Sequence, residues 1–288
     1  MPKRGFGLLK PTRSMIKCTE VKQWWNRGPM TTGEFRTVLS VRMLGSLVVT
    51  LNGTVVDTVS SRRTRQVLAY LLLHRRVAVP RDVLMDTFWP TASPEAARNN
   101  LHVALSGVRQ TLRAASPVSL LQRRHDTYQL DAGLTWVDVE EFEQHCADGH
   151  RANRAGDTAT AVRCYAAADR LYEGDLLAED PYLDWASQQR EALRLEVLHA
   201  QRGLAQLYAK AGDHDSAVLL ARRALRSDPY DEAVHRQLML AFRDLGQLHL
   251  ALTQYQRCAD LLWQAFRVRP SPQTVHLNAQ LRGHQPAA

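Results

Sequence analysis

The fold that this sequence predicts is decided by the stretch SPEAARNNLHVALSGVRQTLR, which runs from Ser93 to Arg113. Ser93 followed by Pro94 predicts the start of a helix, because serine caps helix N-termini and proline suits the first helical position. At about 100° per residue the side chains separate onto two faces. The apolar face consists of Ala97, Leu101, Ala104, Leu105, Val108 and Leu112. The polar face beside it spans roughly 120° and consists of Arg98, Asn99, His102, Ser106, Arg109, Gln110 and Arg113.

The seven residues of this polar face offer hydrogen-bonding and cationic groups, and none of them is acidic. Such a combination suits the base edges and phosphates of DNA. Taken alone, the stretch is more typical of an ordinary amphipathic surface helix. The elements on either side of it decide between that simple alternative and a DNA-recognition helix.

A small antiparallel sheet of about three strands is predicted ahead of the helix, because short alternating runs are separated by turn signals. Asn52-Gly53 is a strong signal for a two-residue hairpin turn. The predicted strands are Val38–Leu44, Leu47–Leu51 and Thr54–Thr58.

The other elements of the first half complete a recognisable order. They are a helix from Arg62 to about His74 capped by Ser60 and Ser61, an extended link Val77–Pro80, a helix Arg81–Trp89, and a hairpin of Val118–Gln122 and Thr127–Leu130 with the basic tip Arg123–Asp126. Sheet, helix, helix, loop, helix and hairpin is the order of an OmpR-type winged helix, whose third helix enters the major groove. The sequence therefore predicts an α+β DNA-binding domain over residues 38–133.

Residues 134–288 are predicted to form an all-α, tetratricopeptide-like domain, so that the whole chain is mainly α. Trp136–Phe142 opens this region, and Glu173–Pro181 is an irregular insertion in it. A pattern of glycine and small or aromatic residues recurs at Gly156/Ala161/Tyr165/Ala168, Gly212/Ala217/Ala221/Ala224 and Gly246/Ala251/Tyr255/Cys258. The last two copies are 34 residues apart, which is the tetratricopeptide period.

Seven helices are predicted in this region, at 138–154, 157–172, 182–210, 214–226, 231–244, 247–266 and 272–282. Helices stacked in this way form a solenoid-like protein-binding surface. A plain helical bundle is the alternative.

The net charge of +8 is concentrated in the first half of the chain. Lys and Arg against Asp and Glu number 8 against 2 in residues 1–37, 12 against 6 in 38–133 and 17 against 21 in 134–288. A basic excess in one half suggests a polyanion partner for that half. Residues 1–37 lack sustained periodicity and are predicted to be a basic, disordered extension.

Several classes of protein are disfavoured by the sequence. No apolar run approaches the ~18 residues of a membrane span, and no signal peptide is evident, so we expect a cytoplasmic, nucleoid-associated protein. The four cysteines are widely spaced, which argues against zinc and a disulfide framework. Because the motifs of P-loop enzymes, serine hydrolases and zinc peptidases are absent, we expect no enzyme activity, metal or cofactor.

A series of short stretches resembles the SARP family of actinobacterial transcription activators, the Streptomyces antibiotic regulatory proteins, over about residues 38–283. In the first half these stretches are Val41–Gly45, Asn52-Gly53, Arg62–Leu72, Phe88–Pro90, Ala97–Leu101 and Val108–Leu112. In the second half they are Val137–Phe142, Leu171–Leu176, Trp185, Gln237–Phe242, Ala251–Tyr255 and Pro270–Pro272. The second half looks like the bacterial transcriptional activation domain of that family.

This resemblance implies a DNA-binding activator of specialised-metabolite genes, such as those of antibiotic biosynthesis. Such a protein binds direct repeats near promoters and recruits RNA polymerase, usually through its sigma subunit. Repeats about one helical turn apart place two protomers, a dimer on DNA, on one face of the duplex.

We predict two sets of DNA contacts. The base-contacting residues are Asn99, His102, Val103, Ser106 and Arg109, because these side-chain types suit base edges and thymine methyl groups. The phosphate-contacting residues are Arg63, Arg65, Arg98, Arg113, Arg123, Arg124 and Thr127. Two alternatives stay open, a tetratricopeptide-like adaptor without DNA binding and a repressor with the same fold.

Overall fold

The computed structural model of the protein describes residues 39–56, 61–113 and 119–283, all of which lie in one compact unit. The predictions for the extension 1–37, for Val38, for the end of the third strand, for the cap at Ser60 and for Val118 lie outside the described residues. The division of the chain at residue 133 stays a prediction. None of the described helices is both long and apolar enough to cross a membrane.

The first sheet contains four strands in the order β3-β2-β1-β7. The strands are β1 (Leu39–Arg42), β2 (Val48–Leu51), β3 (Thr54–Val55) and β7 (Thr135–Val137). The predicted hairpin turn is confirmed, because Asn52 and Gly53 have φ values of 48° and 85°, as a type I′ turn requires.

Strand β7 corrects one prediction. The sheet is mixed rather than three-stranded and antiparallel, because β7 pairs in parallel with β1 and places Thr135 opposite Leu39. The physical reason is that β1 would otherwise present unpaired backbone groups along that side, which a returning segment of the chain satisfies. Trp136 lies in this strand, and the first helix of the second half begins at Asp138, as predicted.

The three predicted helices of the first half are confirmed, as α1 (Arg62–Leu73), α2 (Arg81–Phe88) and α3 (Pro94–Arg113). Ser61 caps α1 by accepting a hydrogen bond from the Thr64 amide at 3.1 Å. All six residues of the predicted apolar face of α3 are buried, and α3 packs against α1 and α2. Burial of this face fixes which side of α3 remains outside the core.

The wing is a second sheet in the order β4-β6-β5. Its strands are β4 (Val79–Pro80), β5 (Leu121–Arg124) and β6 (Thr127–Leu130). The predicted four-residue tip is corrected, since Arg123 and Arg124 pair within the ladder and only His125 and Asp126 form the turn. The segment predicted as an extended link contributes β4, which pairs with β6.

The second half is helical, as predicted. After a single 3₁₀ turn (Ala132–Leu134) and β7, the helices are α4 (Asp138–Arg154), α5 (Thr158–Leu171), α6 (Asp184–Lys210), α7 (His214–Ser227), α8 (Glu232–Asp244), α9 (Leu248–Phe266) and α10 (Pro272–Gly283). Gly156, Gly212 and Gly246 have φ values of 77°, 81° and 72°. Each therefore ends the first helix of a pair in the left-handed conformation that glycine adopts readily, which confirms the predicted repeat.

The winged helix and the helical region are joined by a buried carboxylate. Asp138, at the start of α4, is completely buried and accepts hydrogen bonds from the amides of Met43 at 2.8 Å and Leu44 at 2.9 Å. It also accepts one from the Val139 amide at 2.8 Å. The segment that follows β1 is thereby tied to the first turn of the helical region.

The loop between α5 and α6 makes the second set of contacts at this junction. Leu177 donates from its amide to the Met43 carbonyl at 2.9 Å, and Gly45 donates to the Asp175 carbonyl at 3.1 Å. The buried guanidinium of Arg190 donates to the carbonyls of Leu176, Asp180 and Pro181 at 2.9–3.2 Å. Arg190 therefore satisfies the carbonyls of an irregular loop that no secondary structure could satisfy.

An aromatic residue fills the space between the first helices of the helical region. Tyr165 on α5 lies between Gly149 of α4 and Gly203 of α6, and a Cβ atom at Gly149 would lie 2.5 Å from the Tyr165 ring. The Tyr165 hydroxyl is 3.0 Å from Nδ1 of His150. Glycine is needed at both positions because the ring approaches the helix backbones closely.

We expect Gly149→Ala to lower the free energy of unfolding by about 2 kcal/mol, because the new methyl group overpacks the Tyr165 ring. Urea unfolding measures this change. Gly283→Ala is the matched control, since a Cβ there meets nothing within 4 Å, and we expect no loss of stability in it. Equal stability of the Gly149→Ala variant and the wild type would contradict this packing.

The stability of the junction should depend on pH through Asp138. Burial raises the pKa of Asp138 to about 6 from its ordinary 3.8, although the three amides and Arg42 favour the ionised form. Between about pH 4 and about pH 6 Asp138 is therefore protonated in the folded chain and ionised in the unfolded chain. Its contribution to the free energy of unfolding falls as pH rises through this range and is constant above it.

Urea unfolding of the wild type and of Asp138→Asn across this range measures the contribution. Asp138→Asn turns an NH₂ group towards backbone donors, and we expect a loss of about 1–3 kcal/mol. The gap between the two proteins should fall as pH rises from 4 to 6 and stay level above pH 6.5. A gap that is the same at every pH would contradict the raised pKa.

Candidate nucleic-acid interface

The candidate interface centres on the outer face of α3. Arg98, Asn99, His102 and Ser106 are exposed there, and Arg109 is half-buried. Val103 at the edge of this face is 73% exposed, which is unusual for a valine in a helix that packs on a core. The structure thus brings all five residues of the predicted base-contacting set to one open surface.

The described residues leave the cations on this face without an acidic partner. Among the described residues, no acidic side chain forms an ion pair with Arg98, Arg109 or Arg113. The first turn of α3 contains Glu95, whereas Arg113 lies in its last turn, where the helix dipole favours a cation. The face therefore offers free guanidinium and amide donors to a ligand outside the chain.

The wing contributes two more arginines. Arg123 donates from Nε to the carbonyl of His125 at 3.1 Å and lies 3.9 Å from the Asp126 carboxylate. Arg124 is exposed and makes one long hydrogen bond of 3.5 Å, to Gln122. The Thr127 hydroxyl donates to the carbonyl of Arg124 at 2.8 Å, so this hydroxyl stabilises the turn.

The wing turn is held by Arg81, a residue that the sequence did not single out. The Arg81 amide donates to the Asp126 carbonyl at 2.7 Å, and its guanidinium lies 3.0 Å from the Asp126 carboxylate. The side-chain hydrogen bond from Arg81 to Asp82, together with the charge of Asp126, raises the pKa of Arg81. The start of α2 thereby fixes the position of the wing relative to the three helices.

The basic first turn of α1 divides into residues with and without internal partners. Arg62 pairs with the Asp180 carboxylate, which Gln66 also binds at 3.0 Å. Burial alone would raise the pKa of Asp180, but the hydrogen bonds from Arg62 and Gln66 hold it below its ordinary value. Arg62, which is not in the predicted phosphate-contacting set, is therefore neutralised by a carboxylate of the α5–α6 loop.

The two predicted phosphate contacts in this turn differ in their freedom. Arg63 lies 5.9 Å over the ring of Phe88 and 5.7 Å over that of Trp89, and donates to Gln66 at 3.1 Å. Arg65 is exposed and has no hydrogen-bonded or ion-paired side-chain partner among the described residues. A ligand would therefore meet Arg65 directly, whereas Arg63 is held by aromatic rings.

The residues that organise this surface have only a weak signal in the sequence. Asp180 lies in the irregular insertion between helices, and Asp126 lies in the predicted tip, but neither position indicates a partner that is distant in the chain. Asp138 and Asp180 in the second half are buried. No group of His, Cys, Asp or Glu within the described ranges could hold a metal ion.

Residues 137–282 match the family model described as the bacterial transcriptional activator domain. The transcriptional regulatory protein MoaR1 of Mycobacterium tuberculosis is 28% identical over 233 residues, which cover 80% of this chain and 75% of the relative. The transcriptional regulatory protein EmbR of the same organism is 28% identical over 251 residues, which cover 86% of this chain and 64% of EmbR.

A solved structure is similar over both halves of the chain. It is that of Mycobacterium tuberculosis EmbR in complex with a low-affinity phosphopeptide, with a TM-score of 0.74 and 25% sequence identity. The match covers 87% of this chain and 66% of the EmbR chain. The chain therefore spans about two thirds of EmbR, and the shared part includes the winged helix as well as the helical region.

Proposed function

This chain belongs to the SARP-type transcriptional regulators with a bacterial transcriptional activator domain, and on that basis we propose that it activates transcription by binding promoter DNA through α3. The observation that supports DNA binding most strongly is the open polar face of α3, whose arginines have no acidic partner among the described residues. A helix of this kind in a winged helix reads base edges in the major groove.

Base recognition is assigned to the centre of α3. Asn99 can bond adenine in a bidentate manner and Arg109 can do the same with guanine, each with about 1–3 kcal/mol of discrimination. His102 and Ser106 lie on the same face as hydrogen-bonding groups, and Val103 can contact a thymine methyl group.

Phosphate binding is assigned to the cations around this centre. Arg98 and Arg113 lie near the two ends of α3, Arg65 lies on α1 and Arg124 lies beside the wing turn. Because these four side chains are exposed, they can reach a polyanion without breaking an internal ion pair. Arg63, Arg123 and Thr127 complete the proposed set, although each also makes a contact within the protein.

Activation requires that the helical region be presented in a defined direction on the promoter. The contacts of Asp138 and of the α5–α6 loop join this region to the winged helix, so the orientation of α3 on DNA sets the position of α4 to α10. We infer that two protomers bind direct repeats and recruit RNA polymerase, including its sigma subunit, at specialised-metabolite promoters in the cytoplasm.

The proposal predicts distinct effects for base and phosphate contacts. Arg109→Ala should weaken binding to the promoter by about 5–100-fold and relax the preference at one base pair. Arg98→Ala should weaken binding to all sequences and reduce the slope of log affinity against log salt by about one unit. Fluorescence anisotropy with the promoter and with scrambled DNA at several salt concentrations measures both.

Arg170→Ala provides the matched control, because Arg170 is an exposed arginine on α5, outside the proposed set of DNA-contacting residues. It removes the same charge and should leave promoter affinity within about twofold of the wild type. Unchanged promoter affinity in Arg109→Ala would refute the assignment of α3. Run-off transcription with purified polymerase then tests activation, and a fall in transcript on addition of the wild type would indicate a repressor.

A further inference from the structure

An exposed aromatic surface lies at the far end of the helical region. Trp263 and Phe266, which are 52% and 56% exposed, are one turn apart on α9 and so share a face. The ring of Tyr230, which precedes α8, lies 4.8 Å from that of Phe266. We call these three residues the α9 aromatic patch, and Val268, which is 48% exposed, follows them after the helix ends.

The α9 aromatic patch is not needed to complete the core. The side of α9 that packs inward consists of Ala251, Cys258 and Leu262, which are buried. Trp263 and Phe266 project beside this inner face and remain half-exposed. Single exposed apolar residues are common on protein surfaces, but adjacent exposed aromatic rings mark interaction sites.

The charge around the α9 aromatic patch is positive. The guanidinium of Arg267 lies 5.9 Å over the Trp263 ring, in a residue with a φ of 58° that ends α9. Arg226 and Arg269 are exposed near Tyr230 and Val268 in the chain, and within the described residues neither has an ion-pair partner. These guanidinium groups can therefore bind carboxylates of a partner.

Two acidic residues lie near the α9 aromatic patch in the chain. The Asp228 carboxylate accepts a hydrogen bond from the Tyr230 amide at 3.0 Å, and Asp260 accepts one from Gln256 at 2.9 Å. Both donors are neutral, so both carboxylates keep their charge, and the three arginines of this surface outnumber them. Trp, Tyr and Arg are the residue types that contribute most binding energy at protein interfaces.

We propose that the α9 aromatic patch docks a segment of a partner protein in which apolar side chains alternate with carboxylates. The aromatic rings bury the apolar side chains, and Arg226, Arg267 and Arg269 bind the carboxylates. The proposal rests on the proposed function, since it supplies the surface through which the promoter-bound chain contacts the transcription machinery.

A protein segment fits this surface better than a nucleic acid does. Aromatic rings bind nucleic acid by stacking on unpaired bases inside a basic groove. Here Phe266 packs against the Tyr230 ring in an edge-on arrangement, with an interplanar angle of 68°, and the guanidinium of Arg267 lies over the Trp263 ring. These contacts occupy ring faces on which an unpaired base would stack, whereas apolar side chains of a protein can pack against the exposed ring edges.

The test uses the full chain, promoter DNA and purified RNA polymerase holoenzyme. The double variant Trp263→Ala with Phe266→Ala should bind the promoter with an affinity within about twofold of the wild type. It should produce about tenfold less activated transcript, as expected for loss of an interface hot spot. Arg267→Glu with Arg269→Glu should act in the same direction while leaving the rings in place. Leu219→Ala removes a comparably exposed apolar side chain from α7 and should have no effect.

Photo-crosslinking identifies the occupant. With p-benzoylphenylalanine in place of Phe266, the promoter complex should crosslink to an acidic, apolar segment of a polymerase subunit. Crosslinks to DNA alone, to a second copy of the chain, or to nothing in an active complex would overturn the proposal.

The two proposals can fail separately. Wild-type activation by both double variants would overturn only the docking surface. A wild-type chain that neither binds the promoter nor stimulates transcription would instead refute the proposed function, and the docking proposal with it. Thermal unfolding of each variant shows whether any loss of transcript reflects a loss of folding.

Discussion

The structure depends on the burial of one carboxylate, that of Asp138, against the backbone amides that follow the first strand. A buried carboxylate is costly unless hydrogen bonds compensate for the lost water, and here the amides of Met43, Leu44 and Val139 supply them. The carboxylate also gives a hydrogen-bond acceptor to the backbone amides that follow β1, which would otherwise be buried without a partner. Because Asp138 begins α4, these hydrogen bonds connect the winged helix to the first helix of the helical region.

The rest of the junction follows from this contact. Met43 also accepts a hydrogen bond from Leu177, and Arg190 satisfies the carbonyls of the loop that contains Leu177. Trp185 packs edge-on against Tyr70 of α1 at 5.2 Å. The α5–α6 loop, an irregular insertion in the repeat, therefore packs the helical region against α1. Its Asp180 neutralises Arg62 and leaves Arg65 as the free cation of that turn among the described residues.

The sequence predicted the parts of this protein that depend on local periodicity. The buried and exposed faces of α3 follow from a 3.6-residue repeat, and the three helix-pair turns follow from glycines that adopt positive φ. Strand β7 was missed because three residues are too few to show alternation. The roles of Asp138 and Arg190 were missed for another reason. An acid in the first turn of a helix is expected to be solvated there, and the partners of both residues are distant in the chain. Tertiary contacts also decide which arginines have a partner within the protein, and the sequence alone does not show those contacts.

The two halves form one body, in which the direction of α3 is fixed relative to the helical region. Amide hydrogen exchange at Met43 and Leu44, compared with Leu101 in the buried face of α3 and Val197 in α6, measures whether the junction opens by itself. If the junction opens only when the whole chain unfolds, all four amides exchange with the same free energy of opening, to within about 1 kcal/mol. Exchange at Met43 and Leu44 that is a hundredfold or more faster, with Leu101 and Val197 still protected, would show that the junction opens independently and that α3 is not held in one direction.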